Sequence, residues 1–249
     1  ENTMYQKVIT ALKTINPNLK VIGLTATPYR LGQGMITDGG LFTDICIDLT
    51  GMQPFNQLIA EGYLAPLIPK RTSVELDTLN VGMSNGDFKQ NELQKAVDVD
   101  EVTYRAISEL VEYGQTRHCG MVFTTGIEHT EHVCAAIQSF GESATFVHSK
   151  MPTKQRDQNL LDFKSGVYKW IVSNGVLTTG FDHPPVDIGG ILRPTMSPGL
   201  WVQILGRYCR PYDFRVNPIP GFDYVKENAL ILDFAGNTRR LGPINDPVK

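Results

Sequence analysis

The stretch SPGLWVQILGRYCR, residues 197–210, contains side chains whose spacing could bind a polyanion. Gln203, Arg207 and Arg210 lie at i, i+4 and i+7, so a helix would place them on one polar stripe. A guanidinium offers a fixed fork of N–H donors that matches phosphate oxygens. The alternative is a solvated helix face with surface ion pairs, so the other motifs of the chain must decide between the two.

The same stretch carries the signals of an amphipathic helix. Ser197 followed by Pro198 is typical of a helix start, because serine caps free N–H groups and proline fits the first helical position. At helical spacing, one arc collects the apolar side chains of Trp201, Ile204, Leu205 and Tyr208. We therefore expect a helix that buries one face and presents the polar stripe on the other.

Composition limits the class of protein. The chain has 249 residues and a net charge of −3 at pH 7, so any contact with nucleic acid must be a local groove and not a basic coat. No apolar run approaches the roughly 20 residues that cross a bilayer, so no membrane partner is expected. The four cysteines are far apart without CxxC spacing. We therefore predict no metal site and a cytoplasmic location.

Short apolar runs and helical repeats alternate from about residue 101 onward. The predicted strands are 120–123, 144–147, 170–172, 186–192 and 229–234. Such alternation over short connections predicts an α/β fold, with a parallel sheet covered by helices on both faces. Ligands of such sheets bind beyond the carboxyl ends of the strands, which is the edge where the arginine stretch emerges.

The first part of the chain has a pattern of its own. Residues 4–15 repeat apolar side chains at helical spacing, and 21–24 and 45–50 are typical of short strands. Periodicity is lost toward Pro66 and Pro69. We therefore predict the end of a first domain over 1–50, a linker over 51–69 and a second domain over 70–249.

Five motifs together resemble motifs III to VI of superfamily-two helicases and translocases. They follow in the order of that family: LTATP, VFTT, VHSKMPTKQRD, SNGVLTTGFDHP and QILGRYCR. The later run, from TTGFDHP to ILDFAGNTRRLGPI, is similar to bacterial RadD-type DEAH-like helicases. The resemblance covers nearly the whole chain. It implies a RecA-like helicase C-terminal domain preceded by part of a first RecA-like domain, with ATP bound between the two.

The resemblance also implies roles at the nucleotide. Arg207 and Arg210 would face the γ-phosphate, with Arg210 as the arginine finger and Gln203 supporting the site. Gly180 and Asp182 match the motif whose acid contacts the ribose or orients an arginine. Charge that develops on phosphoryl oxygens is stabilised by a cation brought in from another domain, which makes hydrolysis depend on closure.

Threonines in three loops match further family positions. Two of these loops would touch the backbone of a nucleic acid, through Thr124, Thr125, Thr178 and Thr179. A third pair, Thr25 and Thr27, matches the motif that couples nucleotide state to the interdomain hinge. For the first four, plain loop residues are the alternative interpretation.

Two motifs of an ATP-hydrolysing site are missing from the sequence. It contains neither GxxxxGK[ST] nor a DExH acid pair before TATP. We expect both to lie upstream of Glu1 in a longer protein, which would then supply the Mg²⁺ ligands. The cofactor is therefore ATP with Mg²⁺, but this chain alone is predicted not to hydrolyse it. Tyr208 also replaces the glycine that the family usually has between the arginines.

The resemblance implies a fragment of an ATP-dependent helicase or translocase. DNA is favoured over RNA as its partner, with a role in DNA repair or recombination. Two alternatives stay open: the motor subunit of a restriction system, and a non-catalytic nucleic-acid binding module on the same fold.

Overall fold

The N-terminal part of the chain contributes little regular structure. The computed structural model describes residues 4–30, 34–38 and 42–247, with residue 30 as backbone only. This part contains, in chain order, α1 (Met4–Ile15), the antiparallel pair β1 (Tyr29–Arg30) and β2 (Gly34–Met35), and α2 (Met52–Ala60). None of the residues of α1 is buried.

The remainder alternates strands and helices. In chain order its elements are β3 (Leu67–Lys70), β4 (Met83–Ser84), β5 (Asp87–Phe88), α3 (Gln90–Val97), α4 (Asp100–Gly114), β6 (Gly120–Thr124), α5 (Ile127–Ser139), β7 (Ala144–His148), α6 (Thr153–Lys164), β8 (Trp170–Asn174), β9 (Ile188–Leu192), α7 (Pro198–Leu205), β10 (Tyr212–Asp213), β11 (Val225–Lys226), β12 (Ala229–Asp233) and α8 (Asn237–Leu241). Among the described residues, none of these helices is long and apolar enough to cross a bilayer.

Six of these strands form one parallel sheet. Its order is β3-β12-β9-β6-β8-β7. Ile188 of β9 pairs with Gly120 of β6 on one side and with Leu230 of β12 on the other. Every residue of β6 and β9 is buried, as expected for central strands of a sheet covered on both faces. The predicted α/β class with a parallel sheet is confirmed.

Two glycines in β9 let the elements that pack on the two faces of the sheet approach it closely. A Cβ atom on Gly189 would lie 2.6 Å from the ring of Tyr208, and one on Gly190 would lie 2.6 Å from a methyl group of Leu110. Successive residues of a strand point to opposite faces. The segment after α7 therefore packs on one face and α4 on the other.

The strands predicted at 21–24 and 45–50 were wrong. Neither range lies in a strand, and Ile22 and Leu24 are 87% and 96% exposed. A strand needs a neighbour for its backbone N–H and C=O groups. The described residues provide none there.

The C-terminal sheet begins earlier than the sequence indicates. Strand β3 starts at Leu67, inside the range 51–69 assigned to a linker, and pairs in parallel with β12. Pro69 is tolerated because β3 is an edge strand. The range 80–100 starts with a hairpin, β4–β5, whose turn is Asn85-Gly86, both at positive φ.

Candidate functional site

Helix α7 begins as the sequence predicts. The hydroxyl of Ser197 accepts a hydrogen bond from the backbone N–H of Leu200 (3.3 Å), and proline follows the cap. The predicted apolar face is buried, with no more than 4% exposure at Trp201, Ile204, Leu205 and Tyr208. The indole N–H of Trp201 donates to the carbonyl of Gly242 (2.9 Å), which fastens the helix to the end of the domain.

The helix ends before the arginines, contrary to the prediction of one continuous stripe. It stops at Leu205. The N–H of Gly206 still bonds four residues back, but the N–H groups of Arg207 and Tyr208 bond only three residues back. The carbonyls of Tyr208 and Arg210 accept from the ammonium of Lys226, and the carbonyl of Cys209 accepts from the backbone N–H of Ala65. These tertiary partners hold the backbone out of the helix, because each carbonyl is satisfied elsewhere.

Both arginines nevertheless lie at the same turn. Arg207 donates from Nη1 to the carbonyl of Phe181, and Nη1 of Arg210 lies 3.2 Å from a carboxylate oxygen of Asp182. Gly180, at φ 72°, gives the turn a conformation that other residues rarely adopt. The structure therefore brings Gly180, Asp182, Arg207 and Arg210 together at one edge of the sheet.

The charges at this turn do not balance. Burial, and then the neighbouring charge of Arg210, lower the pKa of the Arg207 guanidinium from its ordinary value, while Asp182 opposes that shift. Nε of Arg207 is buried without a hydrogen-bond partner in the described structure. Two guanidiniums beside one carboxylate, with an orphaned donor, fit an anionic group such as phosphate.

A cleft separates the start of α7 from the N-terminal segment. Its volume is about 490 Å³. Thr25 and Thr27 line one side, and Gln203 and Ser197 line the other. The predicted coupling threonines therefore face the predicted supporting glutamine, one helical turn before Arg207.

The other predicted threonines differ in accessibility. Thr124 and Thr125 are fully buried. The hydroxyl of Thr124 bonds that of Thr130 (2.7 Å). The structure therefore does not present these two hydroxyls to a phosphate, because they lie inside the junction of β6 and α5. Thr178 is also buried, and its hydroxyl donates to the carbonyl of Gly175 (2.9 Å). Thr179 is exposed at the turn.

Sequence reasoning missed two residues that hold the loop before α7. The carboxylate of Asp87 accepts from the hydroxyl of Thr195 (2.8 Å) and from the N–H of Met196 (2.7 Å). The side chain of Asn237 accepts from the N–H of Thr195 (3.0 Å) and donates to the carbonyl of Arg193 (2.9 Å). The Asn-Gly turn beside Asp87 was the available signal, since that pair favours a tight hairpin.

This arrangement matches a known domain. Residues 103–211 match the family of the helicase conserved C-terminal domain. The match includes the Gly180 turn and both arginines. Residues 103–211 are therefore similar in sequence to helicase C-terminal domains, and the parallel sheet agrees with the predicted RecA-like fold.

Relatives with curated names extend this result. The chain is 25% identical over 183 residues to the 51.5 kDa protein of a Lactococcus phage, 27% over 155 residues to ATP-dependent RNA helicase DBP5 of Kluyveromyces lactis, and 26% over 154 residues to ATP-dependent RNA helicase dhh1 of Neurospora crassa. These alignments cover 73%, 59% and 55% of this chain, but only 38%, 32% and 27% of the relatives. The chain thus spans about a third of the length of its relatives. Two of these three relatives are named ATP-dependent RNA helicases, in agreement with the domain match.

Solved structures are similar at lower identity. S. cerevisiae Dbp5 bound to RNA and ADP BeF3 is 14% identical, with a TM-score of 0.48 and coverage of 98% of this chain and 46% of that chain. The Pyrococcus furiosus Hef helicase domain is 20% identical, with a TM-score of 0.39 and coverage of 59% and 29%.

Proposed function

We propose that this chain forms the second RecA-like lobe of an ATP-dependent nucleic-acid helicase or translocase. Arg207 and Arg210 would contact the phosphates of ATP. The observation that carries the proposal is their convergence on the Gly180–Asp182 turn, where Nε of Arg207 is buried without a described partner. Such an excess of fixed positive charge favours a polyanionic ligand.

The two arginines would act differently. Bound ATP with Mg²⁺ supplies the phosphoryl group whose transfer to water drives such motors. Arg207 is half-buried and fixed by the turn, so it would orient a phosphate that reaches it. Arg210 is paired with Asp182 across an exposed contact, with side chains 44% and 58% exposed. Exposed pairs contribute little, so the Arg210 guanidinium can leave Asp182 for a phosphate.

Isothermal titration calorimetry, with ATP added to the chain, tests this site. Arg210→Ala should weaken binding about tenfold or more, because hydrogen bonds to charged groups are the stronger ones. Arg215→Ala is the matched control, since Arg215 is exposed and paired with Asp213 outside the turn. Equal affinity of wild type and Arg210→Ala would contradict the phosphate contact.

We further propose a single-stranded nucleic acid as partner, contacted at the exposed Thr179. The RadD-type resemblance favours DNA and a role in repair or recombination, whereas two of the relatives named above are RNA helicases. Fluorescence anisotropy with labelled dT20 and U20 separates these options. With about three phosphates neutralised, affinity should fall roughly fourfold per doubling of salt. Binding that ignores salt would contradict a contact with phosphates.

Hydrolysis is expected to need more than this chain. The sequence holds neither GxxxxGK[ST] nor DExH, so no phosphate release above background is expected, with or without DNA. Steady turnover near 1 s⁻¹, a typical enzymatic rate, would contradict the proposal of half a site. A motor subunit of a restriction system remains an alternative with the same motifs. Nucleic-acid binding without any binding of ATP would favour the non-catalytic module.

A further inference from the structure

Lys226 is a buried lysine to which the proposed function assigns no role. It is 6% exposed, and its ammonium donates hydrogen bonds to the carbonyls of Pro184 (3.2 Å), Tyr208 (2.8 Å) and Arg210 (2.7 Å). An ammonium has three N–H donors, so these bonds use all of them. The group is fixed in place, because a buried donor left unpaired is costly.

The three carbonyls belong to the two segments that form the candidate site. Pro184 follows Asp182 by two residues, and the other two carbonyls belong to the arginine segment. The side chains that also join these segments are Arg207, bonded to the turn, and the exposed pair of Arg210 with Asp182. When a ligand binds, the exposed pair would separate and Arg207 would contact the ligand itself. Lys226 joins the two backbones without using any of them.

The segment of residues 212–226 places Lys226 at this position. Residues 212–226 leave the end of the arginine segment and return as the antiparallel pair β10–β11, in which Tyr212 pairs with Lys226. The ring of Tyr224 stacks on His118, with centroids 3.9 Å apart, and so fastens the returning strand to the body. Segment 212–226 matches none of the motifs quoted from the sequence, but its last strand, β11, ends at the candidate site.

We propose that Lys226 is a positioning residue that ties the arginine segment to the Gly180–Asp182 turn, so that the guanidiniums of Arg207 and Arg210 face one ligand together. The tie itself is independent of the ligand. Its consequence for phosphate binding rests on the proposed function.

The protonation state of Lys226 offers a direct readout. Burial lowers its pKa to about 8. A neutral amine has two N–H donors, so deprotonation leaves one of the three carbonyls without a partner. The titratable and charged groups that act on this ammonium, or respond to it, are Cys119, His183, Asp187, Cys209 and Arg210.

The first experiment needs no ligand. Amide resonances of 180–183 and 207–210 should titrate together near pH 8 in the wild type and in Lys70→Met, a control that removes the charge of a lysine whose ammonium lies over the ring of Tyr113. In Lys226→Met these resonances should move from their wild-type positions and lose the titration. Unchanged resonances in a folded Lys226→Met would overturn the proposal.

A second variant covers the case in which Lys226→Met does not fold. Lys226→Ala leaves space for n-propylammonium, which can supply the missing three carbons and the ammonium. Added n-propylammonium should restore the wild-type resonances of both segments, and n-propanol should not. Equal rescue by the alcohol would mean that Lys226 only fills space, and would overturn the proposal.

A measurement of ATP binding distinguishes failure of this proposal from failure of the proposed function. ATP affinity should fall about tenfold in Lys226→Met and stay unchanged in Lys70→Met. If the wild type does not bind ATP while the resonances behave as described, the tie stands and the proposed function fails. If ATP binds equally well to Lys226→Met in its folded state, Lys226 does not position the arginines.

Discussion

Residues 21–24 and 120–123 are both short apolar stretches followed by threonines, yet only the second lies in a sheet. The second, in β6, is buried and paired on both sides, with β8 and β9. In the first, Leu24 is almost fully exposed at one side of the cleft that Gln203 also lines. Local sequence makes both segments able to extend. A neighbouring strand decides which one becomes part of a sheet, because its backbone groups need partners.

The largest expected difference between the N-terminal segment and the C-terminal sheet with its helices is in the reactivity of their cysteine thiols. Cys46 is exposed, whereas Cys119, Cys134 and Cys209 are buried, and burial raises the pKa of the Cys209 thiol to about 12. Because the thiolate is the reactive form, a disulfide reagent such as DTNB should modify one thiol at least about 100-fold faster than the others.

Cys46→Ser is the control for this measurement and should remove the fast phase. Four thiols reacting at similar rates in the native protein would contradict the structural difference between the two regions.

Substitutions in these two regions should differ by several kcal/mol in their effect on the free energy of unfolding. Trp201→Ala removes a fully buried ring and its bond to Gly242, and should lower the free energy of unfolding by about 3–5 kcal/mol. Leu24→Ala removes an exposed side chain and should change it by less than about 0.5 kcal/mol. Urea unfolding followed by circular dichroism measures both. A comparable loss from Leu24→Ala would mean that the N-terminal segment is packed in solution.

Acid should destabilise the C-terminal sheet and its helices through their buried histidines, because the first histidine of the sequence is His118. His183 lies among Phe163, Phe181 and Phe222, and burial lowers its pKa to about 4. The unfolded state therefore binds more protons between pH 4 and 6.5, so stability falls as the pH drops through this range. The full loss is about 3 kcal/mol for this group.

Unfolding free energies at pH 7 and pH 5 measure this effect, and His183→Phe should reduce the difference between them. Part of it should remain, because burial also lowers the pKa of His129 to about 4. An unchanged difference in His183→Phe would show that His183 does not titrate as described.

Much of the C-terminal sheet and its helices could be predicted from the sequence, because the residue patterns that indicate them are local. The spacing of apolar residues predicted α4 to α6 and the strands between them, and Ser197-Pro198 predicted where α7 begins. The arginines were singled out by their spacing, and the turn at Gly180 by its resemblance to a helicase motif. Lys226, Asp87 and Asn237 were missed, because each acts on residues that are distant in sequence.

The sequence by itself determined which segments can form helices and strands, and which side chains could bind phosphate. Only the tertiary structure decided where α7 ends, because the carbonyls of Tyr208 and Arg210 find their donor in a lysine from another strand. It also decided that Thr124 and Thr125 are buried while Thr179 is exposed. Local patterns fix the preferences of a segment. The partners of its backbone and the water around its side chains depend on segments far away in the chain.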